Sequence, residues 1–99
     1  MILIRNKFQV KYGQAKPAIA ALKEMVVLGK RLGMTAPSRI LTDLTGPAYT
    51  LVLEHPYANL AAWEQEMPAM MGKPEWRAAY EKFAPYIESG SREICNIVE

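Results

Sequence analysis

Apolar and polar residues alternate most cleanly along Ala48–His55, Ala-Tyr-Thr-Leu-Val-Leu-Glu-His. Successive strand side chains point to opposite faces, so Tyr49, Leu51, Leu53 and His55 share one face and Thr50, Val52 and Glu54 the other. Gly46-Pro47 precedes this strand, and Pro56, with no N–H to give a ladder, is expected to end it. The leucine-bearing face calls for a covering layer of helices; the face with Thr and Glu does not.

Ile2 to Tyr12 alternates in the same way, with Ile2, Ile4, Asn6, Phe8 and Val10 against Leu3, Arg5, Lys7, Gln9 and Lys11. Ala15 to Leu32 follows a helical period instead. Ala18, Leu22, Met25, Gly29 and Leu32 make one stripe, Pro17 suits the first turn, and Gly33 is the stop. Gly29 on that stripe predicts a close approach of helix to sheet. Arg39 to Leu44 is a short strand, joined by Thr45-Gly46-Pro47 so tightly to the next that the two must be antiparallel. Asn59 is a candidate N-cap for a helix with Leu60, Trp63, Met67 and Met70 on its apolar stripe, which Pro68 should kink or end. Pro74 opens another helix carrying Trp76, Ala79, Tyr80 and Phe83, and Pro85 stops it. After a break at Gly90, Ser91 to Val98 is a last strand with Arg92, Ile94, Asn96 and Val98 on one face.

Strand, helix, strand, strand, broken helix, strand is the split βαβ order of an α+β, ferredoxin-like βαββαβ domain. Right-handed crossovers then give one four-stranded antiparallel sheet, helices on one face, first and third strands central. The other face carries Arg5, Lys7, Gln9, Asp43, Thr50, Glu54 and Glu93, with Leu3, Leu41, Val52 and Ile97 among them. A sheet with one wet face is legal. Yet 99 residues make one small domain, spanning 1–99, that buries only about 60–65% of its unfolded surface and gains from association. A second copy packed sheet on sheet would cover the apolar residues and enclose a mixed, partly polar space.

Composition narrows the functions. A net charge of +2 with scattered basic residues leaves nucleic acid no electrostatic footprint. One cysteine, Cys95, forbids an internal disulfide and points to a reducing cytoplasm, where the thiol is expected to be buried and inert. The N-terminus enters strand alternation without a signal-peptide layout, and no apolar run approaches the ~20 residues of a membrane span. No His/Cys cluster offers a metal site, and nothing in the sequence calls for a cofactor.

Leu-Thr-Gly-Pro-Ala-Tyr-Thr-Leu-Val-Leu-Glu, Asn-Leu-Ala-Ala-Trp-Glu, Lys-Pro-Glu-Trp and Glu-Ser-Gly-Ser-Arg-Glu-Ile together resemble the NIPSNAP-like group of the dimeric α+β barrel superfamily. The resemblance covers residues 38 to 98, and the earlier part only by pattern. It implies a ferredoxin-like protomer and a homodimer whose two sheets close into a barrel. It does not imply one activity: the superfamily includes cofactor-free monooxygenases, muconolactone isomerases, and haem-degrading and dye-decolourising enzymes. No catalytic signature is recognisable in this sequence.

The candidate ligand-binding residues of the barrel are Arg5, Lys7, Glu54 and His55. The first three would line a polar cavity for a small, partly apolar organic molecule, or simply pair with each other across strands or across the dimer. His55, the only histidine, is a base or ligand at the pocket mouth, or a rim histidine packed beneath the helices. Trp63, Trp76, Tyr80, Phe83, Met67 and Met70 have helical spacing and read as core rather than a ligand box. The Met70-Met71 elbow beside Pro68 and Gly72 is a candidate gate for the barrel mouth. Asn6, on an apolar face, is expected to bond to a helix or loop. Two functions result: a homodimeric barrel that binds a small organic molecule between its sheets, as a cofactor-free oxygenase or isomerase, and a non-catalytic dimerisation module with paired charged faces.

Overall fold

The structure, a computed structural model, describes residues 1–98. The chain runs β1 (Ile2–Val10), α1 (Ala15–Arg31), β2 (Arg39–Thr42), β3 (Thr50–Tyr57), α2 (Leu60–Met71), α3 (Pro74–Phe83), a 3-10 turn (Ala84–Tyr86) and β4 (Ile87–Asn96). The four strands form one antiparallel sheet in the order β2-β3-β1-β4. This is the ferredoxin-like arrangement the pattern predicts, with β1 and β3 central.

The apolar faces of β1 and β3 lie under the helices. Phe83, Ile4, Leu22 and Leu51 are fully buried, joined by Val10, Ala18, Met25 and Leu53. The Phe8 and Phe83 rings meet edge to face, centroids 5.0 Å apart, which fastens α3 to the sheet. One helical layer on one sheet makes a slab only 18 Å thick, and β4 is exposed from Glu88 to Asn96.

β1 stops at Val10 and β2 at Thr42, two residues short of expectation, and the other two strands differ more. β3 begins at Thr50, because Tyr49 adopts a left-handed φ of 61° and stacks on Tyr12 with centroids 5.3 Å apart. It then runs through Pro56 to Tyr57. β2 pairs with β3 only as far as Glu54, so from His55 onward that edge has no strand partner, and a missing N–H there costs no ladder bond. β4 likewise continues straight through Gly90, which pairs with Phe8. A Cβ at Gly90 would lie 3.4 Å from the Phe8 ring, so glycine here serves close approach rather than a break.

The helices end for recognisable reasons. The Gly33 N–H donates to the Lys30 carbonyl and the Met34 N–H to the Gly29 carbonyl, with Gly33 at φ 107°, which is a Schellman motif closing α1. It folds Met34 back over Gly29, where a Cβ would come within 2.8 Å of the Met34 sulfur and 3.4 Å of Trp76. Gly29 therefore admits Met34 and α3, not the sheet. Asn59 caps α2 by accepting the Ala62 N–H at 2.9 Å. Pro68 does not end α2; the helix reaches Met71 and stops at Gly72.

The stripe on α3 is only partly buried: Phe83 is 1% exposed, Trp76 half-buried and Tyr80 52% exposed. Phe83→Ala should therefore cost about 3–5 kcal/mol in denaturant titration, and Tyr80→Ala under about 1 kcal/mol. Equal losses would contradict this packing.

Candidate functional site

On the open sheet face, register brings four charges into one row. Arg39 pairs with Glu54, Glu54 with Arg5, and Arg5 with Glu93, on β2, β3, β1 and β4 in turn. The signs alternate along the row. Arg39 Nη2 lies 2.6 Å and its Nε 3.1 Å from Glu54 Oε1; Arg5 Nε lies 2.7 Å from Glu54 Oε2 and its Nη1 2.9 Å from Glu93. Lys7 stands 4.0 Å from Glu93. Glu54 is 4% exposed, roofed by the two guanidiniums, while the Arg5 and Arg39 side chains remain 30% and 70% exposed. Burial alone pushes the Glu54 carboxyl up; hydrogen bonds from Arg39 and Arg5 outweigh it and hold the group below its ordinary 4.5.

His55 is not on that face. It pairs with Ile4 and lies beneath the helices, on the opposite side of the sheet from Arg5, Lys7 and Glu54. The candidate set thus divides into an open-face trio and one buried histidine, as a one-residue offset from Glu54 requires. The His55 ring borders a cavity of about 400 Å³ between helices and sheet. Met25 and Met34 come to it from α1 and its C-terminal loop, Met67 and Met71 from α2, Trp76 and Tyr80 from α3. Of the set expected to be core, Met67, Trp76, Tyr80 and Phe83 border the cavity and Trp63 packs on the Ile4–Tyr57 cluster, and the Met elbow borders the cavity through Met71, while Met70 is buried.

Polar groups enter that wall at few points. His55 Nδ1 is 3.0 Å from Ser38 Oγ, the one side-chain hydrogen bond to the ring among the described residues. Burial lowers the imidazole below its ordinary 6.5, so it is neutral at pH 7. Arg92 stands at the edge, its Nε donating to Asn6 Oδ1 at 2.8 Å and its guanidinium 5.1 Å from the Trp63 ring centroid. Asn6 thus bonds to β4, not to a helix or loop. Both Asn6 and Leu53 of the adjoining row border the cavity, with His55 diagonal to Asn6.

Sequence reasoning missed Arg92 and Ser38. Arg92 had a signal, a charge on the same face as Ile94 and directly across from Asn6. Ser38 precedes β2 in a stretch without strand pattern and had none. Cys95, expected to be buried, is exposed on the open face of edge strand β4. The Tyr57 hydroxyl is buried without a partner, its pKa pushed up to about 12 by burial and by nearby Glu66. Among the described residues no three His, Cys, Asp or Glu gather as a metal site, and no helix is long and apolar enough to cross a membrane.

Acid should act in two windows. The unfolded chain protonates His55 near pH 6.5 while the folded chain resists, so stability is fully present above that pH and falls below it. Glu54 adds a second loss that begins only below pH 4.5. Thermal melts from pH 8 to 4 should show the first loss in the parent and not in His55→Gln. Glu54→Gln should cost about 1–2 kcal/mol at pH 7, limited because both arginines stay partly hydrated. A cost near zero would mean the ion-pair row is loose in solution.

No family model and no curated protein matches the sequence. Solved structures do match in shape. An uncharacterised NIPSNAP domain protein from Burkholderia xenovorans superposes with a TM-score of 0.87 at 14% identity, covering 99% of this chain and 95% of that one. A NIPSNAP family protein from Agrobacterium tumefaciens gives 0.85 at 16% identity, covering 99% and 93%. SnoaB, a cofactor-independent oxygenase from Streptomyces nogalater, gives 0.73 at 9% identity, covering 99% and 93%. The chain therefore has the ferredoxin-like fold seen in these NIPSNAP proteins and in the oxygenase SnoaB.

Proposed function

We propose that this chain is a homodimeric α+β barrel protein whose helix–sheet cavity binds a small, mostly apolar organic molecule bearing one acidic or carbonyl oxygen. The observation that carries the reading is the cavity of about 400 Å³, walled by Met and aromatic side chains, with His55, Arg92, Asn6 and Ser91 as its few polar points. Apolar concavities with sparse, fixed polar groups are how proteins hold such molecules. Thioether walls adapt to the occupant's shape. The space between two sheets is the weaker location, because Arg39, Glu54, Arg5 and Glu93 already satisfy one another within a single chain.

Pairing of two copies through the open face is supported by its apolar residues. Leu3 and Leu41 lie half-buried among the charges, on the face that none of the described helices covers, beside the already buried Val52. Cofactor-free oxygenase or isomerase chemistry in a reducing, cytoplasmic setting fits the free Cys95 and the fold shared with SnoaB. The other reading, a non-catalytic dimerisation module, is supported by the same ion-pair row.

Light scattering at micromolar concentration should give twice the 11.1 kDa chain mass. A folded monomer would end the barrel reading. In a thermal-shift screen of aromatic and alicyclic carbonyl fragments, hits should raise the midpoint by mass action. Met71→Trp, at an exposed position on the cavity rim, should abolish those shifts, and Glu54→Gln should keep them. The reverse pattern would move the ligand between the sheets, and no hits with an intact dimer would leave the dimerisation module.

A further inference from the structure

We propose that Ser38 and His55 form a relay bordering the helix–sheet cavity in which Ser38 only fixes the ring's tautomer and His55 alone moves the proton, as the general base for ligands whose C–H is acidified by a neighbouring carbonyl. The inference rests on the cavity being the ligand site and adds the reaction class and the residues. His55 is the sole histidine, and it borders the cavity. Its Nδ1 is occupied at 3.0 Å by Ser38 Oγ, which leaves Nε2 as the ring's free nitrogen. When Nδ1–H donates to the Ser38 oxygen, the Nε2 lone pair is open to accept a proton. Burial keeps the imidazole unprotonated at neutral pH, the form a base needs.

The step balances without any co-reactant. Nε2 takes the proton, the C–H bond pair moves into the carbonyl to give an enolate, and the imidazolium keeps its Nδ1–H on Ser38 Oγ. Where a C=C adjoins that carbon the enolate is a dienolate, and return of the proton to its far carbon isomerises the ligand. Arg92 is the cavity's fixed cation and the group suited to the enolate oxygen, since Asn6 and the Trp63 face orient its guanidinium while its two Nη groups remain available.

Ser38 is a positioning residue, and the open face sets its place. The next residue, Arg39, donates two hydrogen bonds to Glu54 Oε1, which pins the start of β2 to β3. Ser38 is thereby presented to His55, the residue after Glu54. One clamp on the outside of the sheet holds a serine against a histidine on the inside.

The single histidine makes the test clean, because its ¹⁵N imidazole resonances are the protein's only ones. The parent should show Nδ1 protonated and Nε2 bare at pH 7.5. Ser38→Ala should return the ring toward the Nε2–H form. A parent already in the Nε2–H form would overturn the relay. The chemical arm uses 2-tetralone, a planar ketone with acidified C–H bonds, and follows deuterium uptake beside its carbonyl. The parent should accelerate uptake by about 10²-fold over buffer, the low end for general-base catalysis. His55→Gln should abolish the acceleration. Ser38→Ala should lower it and move its pH midpoint to lower pH, because the imidazolium loses its acceptor. Around the cavity that His55 borders, Arg92 of β4 and Tyr80 of α3 are the ionisable groups; α1 brings Leu22 and Met25, α2 Met67 and Met71, and β1 Asn6 and Phe8, and burial is what lowers the imidazole. Thermal shift by 2-tetralone separates the two failures. A shift without exchange overturns the relay and leaves the cavity reading; no shift overturns both.

Discussion

The register between β1 and β3 is the constraint on which the rest depends. Arg5 opposite Glu54 and Ile4 opposite His55 are consecutive rungs of one ladder. A strand alternates with period two, so a slip of one residue would turn Glu54 under the helices and His55 out to the open face. The buried carboxylate would lose both arginines, and the cavity would lose its imidazole. Apolar alternation on both strands and the charge match at Arg5–Glu54 select the same register, so local and global preferences agree.

The ion-pair row reinforces that choice on the face the helices leave bare. Isolated surface pairs contribute little. Here a central carboxylate is almost wholly enclosed and shared between guanidiniums from the strands on either side. The row therefore acts less as a source of stability than as a device that ties β2, β3, β1 and β4 together at one level. It also fixes the segment that carries Ser38, so both sides of a thin sheet are mechanically joined there.

The cavity follows from residues that make poor filling. Gly90 leaves the Phe8 ring without a side chain beside it. The Schellman closure of α1 delivers Met34 over Gly29, and α2 runs on past Pro68 to Met71. Four thioethers and four aromatic rings then meet where a close-packed core would have branched aliphatic side chains. α2 covers this region without sealing it, and β4 extends past the helical layer.

Element order, strand faces, the Asn59 cap and the charged open face were all legible in the sequence, because each depends on period, capping chemistry or turn residues within a few positions. The NIPSNAP-like resemblance agreed with the fold of the structural neighbours for the same reason. Pro56 and Gly90 misled because their meaning depends on neighbours: one lies where the adjoining edge strand has ended, the other beneath a ring from the next strand. Arg5, Lys7 and Glu54 could be grouped by alternation, but the close roofing of Glu54 needed the positions of both flanking strands. His55 could be assigned to the leucine face from its spacing, whereas the space beside it could not. A cavity is a volume that several distant segments fail to fill, and His55, Arg92, Met34 and Trp76 converge on it from four separate parts of the chain. Only tertiary packing brings such segments together, so only the structure decided where a ligand site is.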